Sequence, residues 1–236
     1  MTPSEQPCAA GREGRFGEGA LAGLPAELAL SRLPAGRHGL PRSFVAGNQR
    51  LRIFAALLRL LPEHGYAALT IGHITRGAGV SRAAFYQQFA GKEDCFLAAL
   101  DVASRWLCER VEAAVEGLED WEARVRAAAA AALTLLGANP LVGHLLAVEA
   151  PRAGGAARER QQLLLDRFAA ALRAGHPGRE DLPDEMADLL LGGVVTMLAR
   201  YVRSGRAETL PEATEALVGF LLIPYLSGEE PGATLA

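Results

Sequence analysis

Apolar residues recur at three- and four-residue steps along most of the chain, which is the pattern of amphipathic α-helices. The first clear example runs from Phe44 to about Leu61, with Ser43 as a candidate N-cap and Gly65 beyond its end. Pro62 predicts that this helix stops a turn early, because a proline in the last turn removes a backbone hydrogen bond.

Two short amphipathic segments come next, separated by a turn of small residues at 78–80. Thr70 stands where it would cap the first segment, and Ser81 stands where it would cap the second. Phe85 and Phe89 lie one turn apart on the second segment, so both are expected to point at the core. This spacing is typical of a helix-turn-helix, whose second helix, the recognition helix, enters the major groove of DNA.

Helical periodicity continues towards the C-terminus, and no segment has the alternation of a convincing strand. Pro183 and Pro211 stand in the first turn of the last two predicted helices, and Pro224 is expected to end or kink the final one. The chain is therefore predicted to be all-α. The helices expected after the motif are 92–117, 120–137, 139–150, 156–174, 183–204 and 211–226.

Composition supports this class of fold. Half of the residues are apolar, and aromatic residues are sparse, which favours helices over strands. No apolar run reaches the roughly 18 residues of a membrane span. The start of the chain lacks the apolar segment of a signal peptide. We therefore expect a cytoplasmic protein with no membrane partner.

Charge is divided unevenly along the chain. Residues 41–100 carry six arginines and Lys92 against three acidic residues, a net charge of +4, whereas residues 1–40 carry 0 and residues 101–236 carry −7. A basic segment followed by an acidic one suits a domain that binds phosphate groups joined to a domain that does not. A solvated basic face explains the same numbers, so charge alone leaves DNA binding open.

The three cysteines, Cys8, Cys95 and Cys108, have no metal-ligand spacing. Cys95 and Cys108 are expected to share one helix, about 20 Å apart, which is too far for a disulfide within the chain. Idle thiols in a reducing compartment explain them. A redox switch is the alternative, and Cys8 is the thiol that would serve it.

Catalytic and metal-binding residues form no readable set. The five histidines are scattered, and no pair has the i, i+4 spacing or the carboxylate company of a metal site. The chain also lacks a glycine-rich phosphate cradle, a serine elbow and paired catalytic carboxylates. We therefore expect no enzyme activity, no cofactor and no metal.

A run of residues in fixed order carries a resemblance to a known family. The residues are Gly65-Tyr66 after an apolar helix, Thr70, Ile74, Ala78-Gly79-Val80-Ser81, Phe85-Tyr86, Phe89, Lys92-Glu93 and Phe96. With these residues, the segment 44–100 resembles the DNA-binding region of the TetR family of bacterial transcriptional regulators. It departs from the usual family pattern at Thr75, Ala84, Gln88 and Cys95.

The resemblance implies a three-helix DNA-binding domain followed by a larger helical domain for ligand binding and dimerisation. Residues 1–40 are then a flexible N-terminal extension and residues 41–98 the helix-turn-helix domain. Residues 99–228 form the ligand-binding and dimerisation domain, and 229–236 form a C-terminal tail.

A set of polar and small residues around the motif is predicted to contact DNA. Arg82 is the candidate for a guanine contact, because a guanidinium matches the O6 and N7 acceptors of that base. The resemblance assigns Tyr86 and Lys92 to phosphates, and Ser81 beside a helix N-terminus also suits a phosphate. Simple capping by Ser81 and solvated charges at Arg82 and Lys92 remain open alternatives. The predicted set is Arg42, Thr70, Ser81, Arg82, Ala83, Tyr86, Gln87 and Lys92.

The recognition helix offers few groups that can hydrogen-bond to bases. Ala83 and Ala84 can touch a thymine methyl but cannot pair with a base edge. Sequence selection then depends on Arg82, on Gln87 and on a basic arm before Phe44, or on DNA shape. The arm can enter the minor groove, and a disordered arm without DNA contact is the alternative. The arm residues are Arg37, His38 and Arg42. A helical ligand-binding protein whose motif no longer reads DNA is the alternative, and Gly77, Pro62 and the two alanines favour it.

The body is expected, from the resemblance, to hold a small-molecule effector between its helices, and its apolar content suggests an apolar ligand. Ordinary core packing explains each candidate equally well. The candidate lining residues are Trp106, Trp121, His144, Glu149, Met197 and Tyr201. The last two helices, 183–204 and 211–226, should pair with their copies into a four-helix bundle, where Gly192 and Gly193 permit close packing. The dimer would bind a pseudo-palindromic operator, with repression as the expected outcome.

Overall fold

The structure, a computed structural model, describes residues 42–173, 182–183 and 185–226, and for residues 42–47 and 226 it describes the backbone only. None of these residues lies in a strand, and the predicted all-α fold is confirmed. The α-helices are α1 (Arg42–Ala68), α2 (Ile71–Ala78), α3 (Arg82–Tyr86), α4 (Lys92–Val115), α5 (Trp121–Ala138), α6 (Pro140–His144), α7 (Gly155–Arg173), α8 (Glu185–Arg203) and α9 (Thr214–Leu226).

Helix α1 is longer than the sequence predicted. It begins at Arg42, so that residue does not end an extended arm. It also runs through Pro62 up to Gly65, whose φ of 67° breaks the helix. The expectation of an early stop was wrong because Leu58 and Leu61, on the turn before the proline, are buried, and their packing outweighs one lost hydrogen bond. The predicted arm residues Arg37 and His38 lie outside the described residues.

Helices α2 and α3 begin where their caps predicted. The hydroxyl of Thr70 accepts the His73 N–H at 3.2 Å, and the hydroxyl of Ser81 accepts the Ala84 N–H at 3.0 Å. Gly79, with φ 61° and ψ 40°, ends α2 in the left-handed conformation that glycine adopts without steric cost. The helix-turn-helix is therefore specified locally, by two hydroxyl caps and one glycine.

Helix α4 connects the motif to the body. Its N-terminal part packs under α1, where Phe96 meets the ring of Tyr66 at a centroid distance of 4.6 Å. Cys95 and Cys108 share this helix, as predicted, and both are buried free thiols. Burial raises the pKa of the Cys95 thiol to about 12 and also raises the pKa of Cys108. Cys8 lies outside the described residues.

The body is made of α5 to α9 packed around the C-terminal part of α4. Between α6 and α7 the chain forms a π-helical turn, Leu145–Glu149, and then a short 3₁₀ turn, Ala150–Arg152. Asp120 caps α5 by accepting the Ala123 N–H at 2.7 Å.

The last helix starts later than predicted, at Thr214, because Ala207–Ala213 form a 3₁₀ helix that contains Pro211. That turn presses against α5: a Cβ on Gly137 would lie 3.0 Å from the Ala207 carbonyl oxygen and 3.2 Å from Pro211 Cδ. Pro224 lies inside α9, which continues past it to Leu226, so it does not end this helix.

No single helix in the described ranges has both the length and the apolar character to cross a membrane. The pair Trp121–Ala138 and Pro140–Arg152 reaches that length and composition only jointly, across a 105° bend.

Candidate nucleic-acid interface

Helix α3 presents a row of exposed side chains on one side and buries the other. Ser81, Arg82 and Ala83 are exposed at its start, and Tyr86, exposed to 56%, and Gln87 follow at its end. Ala84 points inward with Phe85, so one of the two alanines expected on the recognition helix belongs to the core. Thr70, at the start of α2, is also exposed. Together with the five exposed residues of α3, it makes six of the eight predicted DNA contacts.

Arg82 extends back over the first turn of α2. A Cβ built on Gly72 would lie 3.5 Å from Arg82 Nη2 and 3.7 Å from Thr70 Oγ1, so the guanidinium and the hydroxyl flank the same glycine. The helix N-terminus of α2 and the start of α3 thus present a cation, two hydroxyls and helix-end N–H groups on one side of the molecule. Such a surface suits phosphate and base acceptors.

Two arginines of α1 hold the turn between α2 and α3. Arg52 donates to the Gly79 carbonyl at 2.8 Å, and Arg59 donates to the Gly77 carbonyl at 3.4 Å. A Cβ on Gly77 would approach α1 side chains at 3.3 to 3.4 Å, so this glycine lies in close contact with α1. This role of the two arginines was not predicted from the sequence. The available signal was their i, i+7 spacing, which puts both arginines on one face of α1.

Lys92 lies at the junction of α1 and α4. Its ammonium donates to the carbonyl oxygens of Tyr66 at 2.9 Å and Ala67 at 3.4 Å, and it sits 4.4 Å from the centre of the Tyr66 ring. Lys92 is half-buried, and an ammonium has three N–H donors. The residue therefore stabilises the end of α1, and these two bonds use two of its three N–H donors. Arg42, the eighth predicted contact, begins α1, and its side chain is not among those described.

A cavity of about 330 Å³ lies in the body between α4, α5, α7, α8 and α9. Its wall is almost entirely apolar, with Glu112, Arg124 and Arg167 as charged members and Gln161 as a polar one. On α5 the lining residues run from Trp121 to Leu136, which span about 22 Å of helix.

Trp121 is the one member of the six predicted lining residues that borders this cavity. Trp106 is buried in α4, and Met197 and Tyr201 are partly buried on α8, but none of the three forms its wall. His144 and Glu149 pair with each other beside α1 instead. The sequence could not separate these residues because each is an ordinary core residue by periodicity, and the cavity depends on how five helices meet.

A buried carboxylate connects the body to the end of α1. Glu149 Oε2 accepts the Tyr66 N–H at 2.7 Å, and Oε1 lies 3.2 Å from His144 Nε2. Burial alone would raise the pKa of this carboxyl, but the hydrogen bonds from His144 and from the Tyr66 N–H outweigh it and leave the pKa below its usual value. The ionised carboxylate can only accept, so His144 carries its proton on Nε2.

Among the described residues, no group of three or more His, Cys, Asp or Glu is arranged to hold a metal ion. The fold and this surface define a class: a helix-turn-helix DNA-binding unit built onto a helical body that contains an apolar cavity.

Comparison with known proteins agrees with this class. Residues 53–99 match the family described as "Bacterial regulatory proteins, tetR family". The nucleoid occlusion factor SlmA of Vibrio cholerae is 29% identical over 171 residues, which cover 66% of this chain and 85% of that one.

Two solved structures share the fold. FadR of Bacillus subtilis, a transcriptional regulator in complex with stearoyl-CoA, superposes with a TM-score of 0.65 at 17% identity, over 76% of this chain and 99% of that one. The ketosteroid transcriptional regulator KstR2 of Mycobacterium tuberculosis has a TM-score of 0.56 at 20% identity, over 73% of this chain and 92% of that one. The chain therefore contains a segment that matches the TetR family and shares the fold of these regulators.

Proposed function

We propose that this chain is a cytoplasmic, homodimeric transcriptional repressor that binds a pseudo-palindromic operator and responds to an apolar small molecule. The observation that carries the proposal is the exposed face of α3, where Arg82, Tyr86 and Gln87 stand beside the capped start of α2. A helix so exposed, in a block of net charge +4, fits the major groove and its phosphates.

The uncovered apolar side of α8 and α9 supports the homodimer. Leu189 is 71% exposed, Ile223 is 61% exposed and Phe220 is 44% exposed. Gly193 receives the Phe220 ring within this chain, since a Cβ there would lie 3.0 Å from Phe220 Cζ, whereas Gly192 is exposed and has nothing within 4 Å of a Cβ. Large apolar side chains beside an open glycine are what a helical interface with a second copy requires.

Sedimentation at micromolar concentration tests the dimer. We expect a dimer for the native chain and a monomer for Ile223→Glu, because a buried unpaired carboxylate costs several kcal/mol at an interface. Leu163→Glu is the matched control, since Leu163 is an equally exposed leucine, at 69%, on α7. A monomeric native chain, or dissociation by both variants, would refute the assignment of this face.

The operator is tested by selecting bound duplexes from a random library at moderate salt with the full chain. We expect an inverted repeat whose half-sites are centred about one helical turn, 34–36 Å, apart. Recovery of sequences without an inverted repeat would contradict the operator hypothesis and favour a degenerate motif.

The cavity supports an elongated apolar effector. Its wall is apolar along α5, and the Bacillus subtilis regulator that shares the fold was crystallised with stearoyl-CoA. Long-chain fatty acids and their CoA esters are therefore the first class to test, with a sterol as a rigid apolar comparison.

Thermal unfolding with palmitic acid, stearoyl-CoA and cholesterol provides the test. A bound probe at 100 times its Kd stabilises the fold by about 2.7 kcal/mol. We expect one of them to raise the Tm and to weaken operator binding. Ala128→Phe, which fills the cavity from α5, should abolish both effects. Ligand effects that survive in Ala128→Phe would place the ligand elsewhere.

A second candidate function is a DNA-binding role on the nucleoid away from promoters. The 29% identity with nucleoid occlusion factors of Vibrio species favours it. Mapping of the bound sites in the host genome separates the two proposals: a few sites next to genes support a repressor, whereas many sites spread along the chromosome support the nucleoid role.

A further inference from the structure

The contact between Glu149 and the end of α1 joins two parts of the molecule that the chain keeps far apart. Glu149 and Tyr66 are separated by 83 positions in the sequence. The Glu149 side chain is 9% exposed, so this hydrogen bond is shielded from water and is stronger than a surface contact. It holds the peptide of Tyr66 just beyond Gly65, where α1 breaks at φ 67°.

Lys92 holds the next peptide, between Tyr66 and Ala67. While Glu149 accepts the N–H of Tyr66, Lys92 donates to its carbonyl oxygen at 2.9 Å. The backbone of Tyr66 is therefore held jointly by the body, through its N–H, and by the start of α4, through its carbonyl oxygen. Lys92 is also a predicted phosphate contact, so a change in the Tyr66 backbone reaches the DNA-facing side directly.

The segment that carries Glu149 is also part of the cavity wall. Leu146 and Ala147, on the same π-helical turn, line the cavity. Gln161 lines it as well and donates to the Leu146 carbonyl at 2.8 Å. A π turn is a local irregularity that often occurs at functional sites in helices. Here it puts cavity-lining residues two and three positions before the carboxylate.

We propose that Glu149 is a positioning residue that transmits the state of the cavity to the helix-turn-helix unit through the Tyr66 peptide. The proposal rests on the proposed function in one respect, that a ligand occupies the cavity. An occupant that pushes the wall at Leu146 and Ala147 moves the π turn, lengthens the Glu149–Tyr66 hydrogen bond and releases the end of α1. The helix-turn-helix unit then loses the orientation that both half-sites of an operator require.

Residue-resolved hydrogen exchange of the full chain tests the coupling through the Glu149–Tyr66 contact without any ligand or DNA. The larger side chain of Ala128→Phe occupies the cavity as a ligand would, and it enters from α5, on a different wall from Leu146 and Ala147. We expect the Tyr66 amide to exchange about tenfold faster or more in Ala128→Phe and in Glu149→Ala, as for the loss of a hydrogen bond to a charged group. The His73 amide, bonded to Thr70, is the internal control and should not change. An unchanged Tyr66 amide, or equal acceleration at both amides, would overturn the proposal.

Operator binding by the same variants separates positioning from simple structural support. We expect Ala128→Phe to weaken binding about tenfold in the native background and less than twofold in the Glu149→Ala background. Glu149→Gln keeps an oxygen acceptor for the Tyr66 N–H. In this background Ala128→Phe should therefore again weaken operator binding about tenfold. Glu159→Gln, at an exposed carboxylate on α7 that does not line the cavity, is the control and should also keep the tenfold effect.

The two proposals fail in different ways. If no operator is recovered, the proposed function fails, and the exchange experiment still tests whether the cavity is coupled to Tyr66 through Glu149. If an operator is recovered and Ala128→Phe weakens operator binding equally with and without Glu149, the proposed function stands and the coupling through Glu149 is wrong.

Discussion

Lys92→Met removes one ammonium and keeps a side chain of similar length and apolar stem. In the structure that ammonium donates to the Tyr66 and Ala67 carbonyls and lies over the Tyr66 ring. A charged hydrogen bond contributes about 1.5–3 kcal/mol and an exposed cation–π contact about 0.5–1 kcal/mol. Because Lys92 is half-exposed, we discount the sum to about 2 kcal/mol, equivalent to a Tm lower by about 4–8 °C for a chain of this size.

The same substitution affects DNA binding through counterion release. If each Lys92 of the dimer neutralises one phosphate, its loss lowers the slope of log K against log salt by about 0.9 for each half-site. Fluorescence anisotropy of the selected operator across a salt series measures this slope, and calorimetry measures the Tm. Arg110→Met is the control, because Arg110 is an exposed cation on the same helix, about 27 Å further along it.

Each part of the reasoning about Lys92 has its own refutation. An unchanged Tm would show that the bonds to the α1 carbonyls contribute no stability. An unchanged salt slope with a lowered Tm would show that Lys92 is a structural residue and that its assignment to a phosphate is wrong.

Three further predictions concern separate residues. Arg82→Ala should change base preference at one position in each half-site of a repeated library selection, and a uniform loss across sequences would reassign it to phosphate. Because the pKa of Glu149 is lowered in the folded chain, its ionised form stabilises the fold above the ordinary carboxyl pKa, and that contribution is lost as pH falls through the folded-state pKa. Urea unfolding of Glu149→Gln at several pH values should therefore show a smaller loss of stability on acidification than the native chain, and an equal loss would contradict the lowered pKa. Cys95 and Cys108 should resist iodoacetamide at pH 7.5 in the native chain and react after unfolding, as mass spectrometry would detect; rapid native labelling of Cys95 would contradict its raised pKa.

Much of the helix-turn-helix could be predicted because its determinants are close in sequence. The hydroxyl of Thr70 caps the helix that begins at the next residue, and Ser81 does the same for α3. Gly79 ends α2 through its own backbone conformation. Phe85 lies on α3 and Phe89 lies three residues beyond its end, and both are buried. The Phe89 N–H still donates to the Phe85 carbonyl at 3.0 Å, which keeps the two rings one turn apart. Local spacing and capping depend on near neighbours, so they can be read from the sequence.

Proline effects were harder to predict, because they depend on what surrounds the proline. Pro62 was expected to shorten α1, and the buried leucines beside it keep the helix intact. Pro211 was expected to start an α-helix, yet it sits in a 3₁₀ turn pressed onto Gly137 of α5. In both cases tertiary packing outweighs a local preference of a few kcal/mol.

The sequence by itself determined the helical class of this protein, the helix-turn-helix with its caps, and the family that this motif resembles. Only the tertiary structure decided which side chains border the cavity, that Lys92 holds the end of α1, and that Glu149 reaches Tyr66 from the body. The physical reason is distance along the chain: helix periodicity and caps involve residues within about one turn, whereas a cavity wall and a buried carboxylate contact arise only when segments remote in sequence pack together.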